Sequence, residues 1–292
     1  MRIALFSALT LLASFGAMAQ EELTRQLWNS EFIGKRPEGT GAPAKPPTYR
    51  RATPVPQQTA APPPAGEATI LGLTLWRVRP AKPSDSGTRL LVLEPTGNGA
   101  GEEVPERLNA DTVLAEGDRV RLSVEAATSG YLYIIDREKY ADGSLSDPYV
   151  IYPNRLTRID GNRVSPGRLI EIPDREDHPN VFTIRSSRPQ QAAEVLSLLI
   201  TTQPMAEVKI GNQPFRLDTA VYQEWEKQWA AKAERFELEG GAGKAWTPQE
   251  KQAGAGQDAA LTQSDPTPQS LYRVSARPGS PVILEIPLQF KK

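Results

Sequence analysis

The chain has 292 residues, with 34 Lys and Arg against 35 Asp and Glu, one histidine and no cysteine. A nearly neutral charge provides no general electrostatic attraction to nucleic acid or to an anionic membrane. The absence of cysteine excludes disulfides, a lipid-carrying cysteine and a thiol nucleophile. With a single histidine, the composition also excludes Cys/His zinc sites and multi-histidine metal centres.

The N-terminus has the three parts of a secretory signal peptide. A basic residue and the apolar run Ile3–Phe15 are followed by small side chains at Ala17 and Ala19. Because this run is shorter than the ~20 residues that span a bilayer, we favour cleavage over a membrane anchor. We predict a signal peptide over residues 1–19, cleaved by signal peptidase before Gln20. The mature chain is expected to be a soluble protein, without a membrane span, in the periplasm or the medium.

Two segments that lack a core of their own follow the predicted cleavage site. Residues 20–34 place four large apolar side chains roughly on one helical face: Leu23, Leu27, Trp28 and Phe32. An isolated helix of this length is marginal in water. The segment either docks on this protein's own surface, which we favour, or binds a partner. Residues 35–67 are rich in Pro and Ala with almost nothing to bury, which predicts a polyproline-like linker.

Residues 68–290 form the predicted folded domain, and its first part reads as short strands. Apolar and polar side chains alternate in Val120–Glu125, and Tyr131–Asp136 follows after Gly130, so we predict an antiparallel hairpin. Six further segments are predicted strands: Ile70–Val78, Arg89–Glu94, Tyr149–Tyr152, Arg168–Ile172, Val181–Arg185 and Val195–Thr201. Many short strands separated by turn residues indicate a sandwich or barrel, not βαβ units.

The last part of this domain begins with an amphipathic helix, predicted over Thr219–Leu238 with Asp218 as its N-cap. Residues 239–270 are rich in Gly, Ala and Gln, which predicts a loop or a disordered insertion. Leu271–Ala276 and Val282–Phe290 are predicted to form a hairpin around a Pro-Gly turn. The predicted fold is therefore mainly β, an antiparallel β-sandwich of about eight to ten strands with one amphipathic helix.

Sequence motifs that could carry chemistry are few. His178 lies in a polar stretch, and no G-x-S-x-G motif supplies a serine for it. The run Gly240–Ala245 resembles a phosphate loop only superficially, because Ala245 follows Lys244 where Ser or Thr is required. That run also follows a predicted helix instead of a strand. We therefore assign no catalytic, cofactor-binding or metal-binding residue.

Four carboxylates cluster in one predicted loop: Asp136, Glu138, Asp142 and Asp147. Their spacing does not follow the EF-hand pattern, and Arg137 and Lys139 offset much of the charge. A polar hairpin loop is therefore favoured over a calcium site. Paired carboxylates of a hydrolase stay open, because the separation of such a pair is a three-dimensional quantity.

Six short motifs occur in a fixed order: Leu114–Leu122, Gly130–Tyr133, Asp142-Gly143, Ile151–Asn154, Arg168–Pro173 and Leu196–Thr202. Together they resemble the bacterial domain-of-unknown-function family 4384 over roughly residues 70–205. The Leu73–Trp76 start and the Pro268–Tyr272 ending resemble an extended, secreted variant. The resemblance implies an all-β module attached to varied partners, including proteases and kinases, with no established activity. It therefore implies no site residue.

Three classes of function follow from these observations. The favoured class is a non-catalytic envelope or secreted module that binds a protein partner. The second is a glycan-binding module, suggested by lectin-like sandwiches and by four tryptophans: Trp76, Trp225, Trp229 and Trp246. The third is a carboxylate-dependent hydrolase, which only the acidic loops support.

Overall fold

The computed structural model describes residues 31–39, 47–52, 68–85, 103–155, 157, 161–174, 177–211, 213–254, 260–277 and 279–291. Strands make up 45% of the structure and helices 12%, in two antiparallel sheets. The predicted fold class is therefore confirmed. The predicted strand Arg89–Glu94, the signal peptide and its cleavage site lie outside the described residues.

The strands are, in chain order, β1 (Tyr49–Arg51), β2 (Ala68–Pro80), β3 (Glu103–Leu108), β4 (Leu114–Ala115), β5 (Arg119–Ala126), β6 (Gly130–Tyr140), β7 (Tyr149–Tyr152), β8 (Arg163–Val164), β9 (Ile170–Ile172), β10 (Phe182–Thr183), β11 (Gln191–Thr201), β12 (Phe215–Arg216), β13 (Ala233–Leu238), β14 (Ser270–Ser275) and β15 (Val282–Lys291). The α-helices are α1 (Thr219–Trp229) and α2 (Pro248–Gly254). A short 3-10 turn covers Ile33–Lys35, and another covers Pro83–Asp85.

The first sheet has the order β1-β13-β14-β2-β5-β10, with β3 also paired to β2 and β9 to β5. The order in the second sheet is β12-β7-β6-β11-β15, with β8 paired to β6. A two-residue parallel contact joins β4 to the end of β15. In the central parts of β2 and β5 on one side, and of β6, β11 and β15 on the other, alternate residues are apolar and lie in one shared core. This period of two is what places two sheets face to face.

Two predicted hairpins are wrong, because each connection crosses from one sheet to the other. β5 pairs with β2, β9 and β10, whereas β6 pairs with β7, β8 and β11. Likewise β14 belongs to the first sheet and β15 to the second. Each of these strands has one apolar face, and facing sheets bury two such faces against each other, which a hairpin within one sheet cannot do.

Gly130 has a different role from the predicted hairpin loop. A Cβ built at this position would come within 2.5 Å of the carbonyl oxygen of Thr201. Glycine is therefore required for the close approach of β6 to β11. A turn is present at Gly279, which has a φ of 73°, and the N–H of Ser280 donates to the carbonyl of Arg277.

The predicted helix over Thr219–Leu238 divides into a helix and a strand. α1 ends at Trp229, and β13 then pairs with β14 from Ala233 to Glu237. Ala233 and Phe236 keep a helical three-residue spacing, whereas Phe236 and Leu238 alternate as in a strand, and pairing with β14 decides between the two. The predicted N-cap is confirmed, because the Asp218 carboxylate accepts from the N–H groups of Ala220 and Val221.

The linker and insertion predictions are wrong for the parts that pack on the sheet, while residues 239–247 are loop, the alternative that the insertion prediction included. Phe32, Arg36 and Tyr49 are buried, and β1 adds to the first sheet beside β13. In the predicted insertion, α2 forms and Trp246 is buried. Both segments have few apolar residues, and composition therefore did not reveal that they cover a polar sheet face. Of residues 20–34, the described end docks on the protein's own surface through Phe32.

Candidate binding cleft

The outer face of the first sheet is polar, although it is buried. Alternation along β2 and β5 points Leu75 and Leu122 into the core, so Trp76 and Ser123 point outward. Both outward residues are nevertheless less than 5% exposed, and the Trp76 Nε1–H donates to Ser123 Oγ at 2.7 Å. Something must therefore cover this face and satisfy its polar groups.

The N-terminal segment covers one part of the polar face through a buried ion pair. Arg36 donates to both carboxylate oxygens of Glu125, from Nε and Nη2, at 2.7 Å each. The two side chains are 0% and 2% exposed. Arg36 also donates to the carbonyls of Thr262, Asp265 and Pro266 at 3.1 to 3.2 Å. This one guanidinium therefore joins three distant parts of the chain.

A second buried pair joins β3 to α2. Arg107 contacts Glu250, with both side chains about 5% exposed, and donates to the carbonyl of Thr267 at 2.8 Å. Glu250 also accepts from the N–H of Thr247 at 3.0 Å and from its hydroxyl at 2.8 Å. Since Thr247 precedes the first residue of α2, these contacts cap the helix and orient Glu250 towards Arg107.

Two tryptophans fill the space between the buried cations. The guanidinium of Arg107 lies 5.1 Å from the Trp76 ring, and that of Arg121 lies 5.6 Å from the Trp246 ring. The two rings are 5.9 Å apart. Cations over aromatic faces are stabilising, more so where water is excluded. These ring faces are occupied within the protein and give no exposed stacking platform for a sugar.

An open cleft of about 790 Å³ lies beside this polar layer. Its lining comes from Pro47-Thr48, residues 238–241, the stretch between Lys244 and Gln249, residues 264–267, and Arg107. All of these except Arg107 belong to segments that were predicted to be linker, helix end or insertion. Sequence reasoning therefore missed the cleft, because it forms only where these segments meet on the sheet.

The glycine-rich run Gly240–Ala245 forms part of the cleft lining. It follows strand β13, not a helix, so that part of the sequence argument is corrected. Three of its N–H groups are nevertheless engaged: Gly241 donates to Leu238, Gly243 to Arg107 and Lys244 to Gly241, all at carbonyl oxygens. A phosphate loop needs such N–H groups free to surround the anion. This loop is therefore built as a tight turn.

Of the four carboxylates in the predicted acidic loop, Asp136 and Glu138 lie in strand β6, whereas Asp142 and Asp147 lie in the loop between β6 and β7. Asp142 accepts from Ser144 within its own exposed turn, and Asp147 pairs with Arg216. Hydrogen bonds from Ser144 lower the pKa of Asp142. The loop connects antiparallel β6 and β7, as expected for a polar hairpin loop. Within the described ranges, no three His, Cys, Asp or Glu side chains are grouped in a way that could hold a metal ion.

One carboxylate pair does come together, and no sequence pattern indicated it. Asp136 of β6 lies beside Glu194 of the neighbouring strand β11.

The remaining sequence candidate, His178, is exposed. The predicted cleavage-site residues Ala17, Ala19 and Gln20 lie outside the described residues.

The fold and this face define a two-sheet β-sandwich with a buried polar layer beside an open cleft. No family model matches the chain, and neither curated proteins nor solved structures gave a match. The resemblance to family 4384 therefore stays a prediction. In the part of the chain that the structure describes, no helix has the length and apolar character needed to cross a bilayer.

Proposed function

We propose that this protein is an exported, non-catalytic β-sandwich module of the cell envelope or medium, and that its cleft binds an extended peptide segment of a protein partner. The single observation that carries this proposal is the cleft itself. Its volume of about 790 Å³ falls in the range of ligand-binding pockets.

The chemistry of the lining supports a peptide over other ligands. Lys244 and Glu239 contribute opposite charges at the surface, whereas a nucleic-acid site needs a predominantly basic surface. Gly240 lacks a side chain, and a Cβ built there would meet nothing within 4 Å, so a bound main chain can approach this part of the wall closely. A sugar site would favour an exposed aromatic platform, and Trp246 beside the cleft is only 7% exposed. A polar main chain is the ligand that these groups fit best.

The support beneath the cleft also favours binding. Arg107 reaches the cleft and is held by Glu250, by the Thr267 carbonyl and by the face of Trp76. A wall that is already fixed loses little conformational entropy when a ligand binds. The cleft is therefore suited to recognise one conformation of an extended segment.

Selection from a phage-displayed library of linear peptides on the mature protein tests this proposal. We expect peptides whose Kd, measured by fluorescence anisotropy, rises at least about tenfold in Lys244→Glu and Gln249→Trp, two exposed cleft positions. Matched controls are Lys227→Glu and Gln223→Trp on exposed positions of α1. Peptides that lose affinity equally in both pairs, or a selection without cleft-dependent peptides, would refute the cleft as the site.

Point substitutions are preferable here to removal of residues 20–67. That deletion would remove Arg36 and β1, leaving Glu125 buried without its cation. Any loss of binding would then report a damaged sheet face.

Export has its own test. We expect the protein isolated from its native cells to begin at Gln20 by intact mass, and Ala19→Arg to block this processing because the peptidase pocket takes only small side chains. Ala8→Val, a substitution within the apolar run, is the control and should be processed normally. A native protein that retains residues 1–19 would contradict the export proposal.

A further inference from the structure

Three carboxylates extend the core-facing side of the second sheet at one end. Ile134 and Leu196 face the core, and the period of two then brings Asp136, Glu138 and Glu194 to the same face. Glu194 lies directly opposite Glu138, and Leu196 lies opposite Asp136. All three carboxylates are only partly exposed, which makes their arrangement on adjacent strands unusual.

The neighbours of these strands add no positive charge opposite the carboxylates. On β7, Tyr149 lies opposite Asp136, and on β15, Leu288 lies opposite Glu194. Like charges on adjacent strands are destabilising without compensation. Protonation of one carboxyl group is therefore the compensation that the arrangement itself can supply.

A chain of hydrogen bonds determines which oxygen of Glu194 is left over. The N–H of Ser187 donates to Gln191 Oε1 at 2.7 Å, which fixes the orientation of that amide. The amide then donates from Nε2 to Glu194 Oε1 at 2.6 Å. Glu194 Oε2 is buried and has no partner within the described structure, and the same is true of Asp136 Oδ1.

One proton satisfies both of these oxygens. An ionised carboxylate only accepts hydrogen bonds, whereas a protonated one also donates. We propose that Asp136 and Glu194 share a single proton, donated by Glu194 Oε2 to Asp136 Oδ1. This shared proton holds the start of β11 against the end of β6. The inference goes beyond the proposed function and does not depend on it.

The surrounding charges act in the same direction. Glu138 adds a third carboxylate, whose Oε2 accepts from the Tyr140 hydroxyl at 2.6 Å. Arg188 lies over the Tyr140 ring, 5.5 Å from its centroid. Burial, followed by the charge of Asp136, raises the pKa of Glu194 to about 8. Burial likewise raises the pKa of Asp136 to about 6.

These directions determine how stability depends on pH. The pKa of an unfolded glutamate is about 4.3, so the folded pair binds its proton more tightly than the unfolded chain does. The resulting stabilisation is complete below about pH 4 and is lost as the pH rises towards 8, because the unfolded chain releases the proton first. Above pH 8 two negative charges face each other and the strand ends separate.

The experiment compares wild type with Glu194→Gln from pH 5 to pH 9. Glutamine still accepts from Gln191 and donates to Asp136 at every pH, so it imitates the protonated acid. We expect the ratio of unfolded to folded wild type to rise at least about tenfold more over this range than that of Glu194→Gln. Glu138→Gln, which leaves the pair intact, is the control and should keep the pH dependence.

Hydrogen exchange locates the effect. After correction for intrinsic rates, amides at the start of β11 and the end of β6 should exchange faster at pH 9 than at pH 6 in wild type but not in Glu194→Gln. If the free energy of unfolding depends on pH equally in wild type and in Glu194→Gln, the proposal is overturned. If Glu194→Gln does not fold, Asp136→Asn replaces it, and infrared spectroscopy of wild type at pH 7 must show a protonated carboxyl band that this variant lacks. Absence of that band from wild type would also overturn it.

Discussion

The outer faces of the two sheets are covered by different means. On the second sheet, α1 packs Tyr222 and Trp225 against Tyr133, Ile135 and Leu199, so one apolar surface meets another. Much of the first sheet is covered by the N-terminal segment around Arg36, by residues 262–266 and by the short helix α2. These are held by ion pairs whose side chains are almost fully buried.

The difference shows how segments poor in apolar residues can still cover a sheet. On the second sheet, Arg137 pairs with Glu226 and Glu285, but each of these carboxylates is about a quarter exposed. On the first sheet water is excluded, and every charge therefore needs its partner and further hydrogen bonds. The apolar cover that α1 forms on the second sheet tolerates small shifts, whereas the polar cover on the first sheet depends on each ion pair.

Breaking the polar cover should have the largest effect. Glu125→Ala leaves Arg36 buried without its carboxylate, and we expect the free energy of unfolding to fall by about 3–5 kcal/mol in urea denaturation. The control is Glu234→Ala, which removes the partly exposed partner of Arg51 and Arg273 and should cost less than about 1 kcal/mol.

A double variant tests whether the unpaired guanidinium causes that loss of stability. Replacing the pair by apolar residues, as Arg36→Met with Glu125→Leu, removes the orphan charge, so it should recover much of the stability lost in Glu125→Ala. A double variant as unstable as the single one would show that the loss comes from packing or from the carbonyls of Thr262, Asp265 and Pro266, which Arg36→Met leaves without their donor, and not from the unpaired guanidinium.

The apolar cover should respond through packing alone. Trp225→Ala removes a buried ring of α1 that packs on the sheet, where only Tyr222 of the same helix is more buried. We expect the free energy of unfolding to fall by about 3 kcal/mol, with unchanged pH dependence. Trp229→Ala, at the last residue of the helix and partly exposed, should cost clearly less. Equal losses at the two positions would contradict the assigned packing.

The smallest effect should come from the N-terminal cap of the same helix. Asp218→Ala removes the side chain that accepts from two N–H groups at the start of α1, and we expect a loss of about 1 kcal/mol. Asp218→Asn keeps an accepting oxygen and should retain most of the stability. A loss in Asp218→Asn as large as in Asp218→Ala would point to charge instead of capping.

Local patterns were sufficient for the long core strands and for the helix start, but they missed β1, β3 and β13. Alternation in Val120–Glu125 and Val282–Phe290 predicted both the strands and the faces that they bury, since side chains alternate at every step of a strand. Asp218 before an amphipathic run predicted the start of α1. The candidate cleft and the pair of Asp136 with Glu194 could not be predicted, because each needs residues that no local pattern connects.

The sequence by itself determined the long strands of the core, the mainly β class and the absence of cysteine-based chemistry, because these follow from composition and from neighbours along the chain. Only the tertiary structure decided which strands pair, and which charged residues are buried. Arg36, for example, meets Glu125 and Pro266, which are 89 and 230 residues away. A charge becomes tolerable in the interior only through such a partner, and the partner's position is a property of the whole fold.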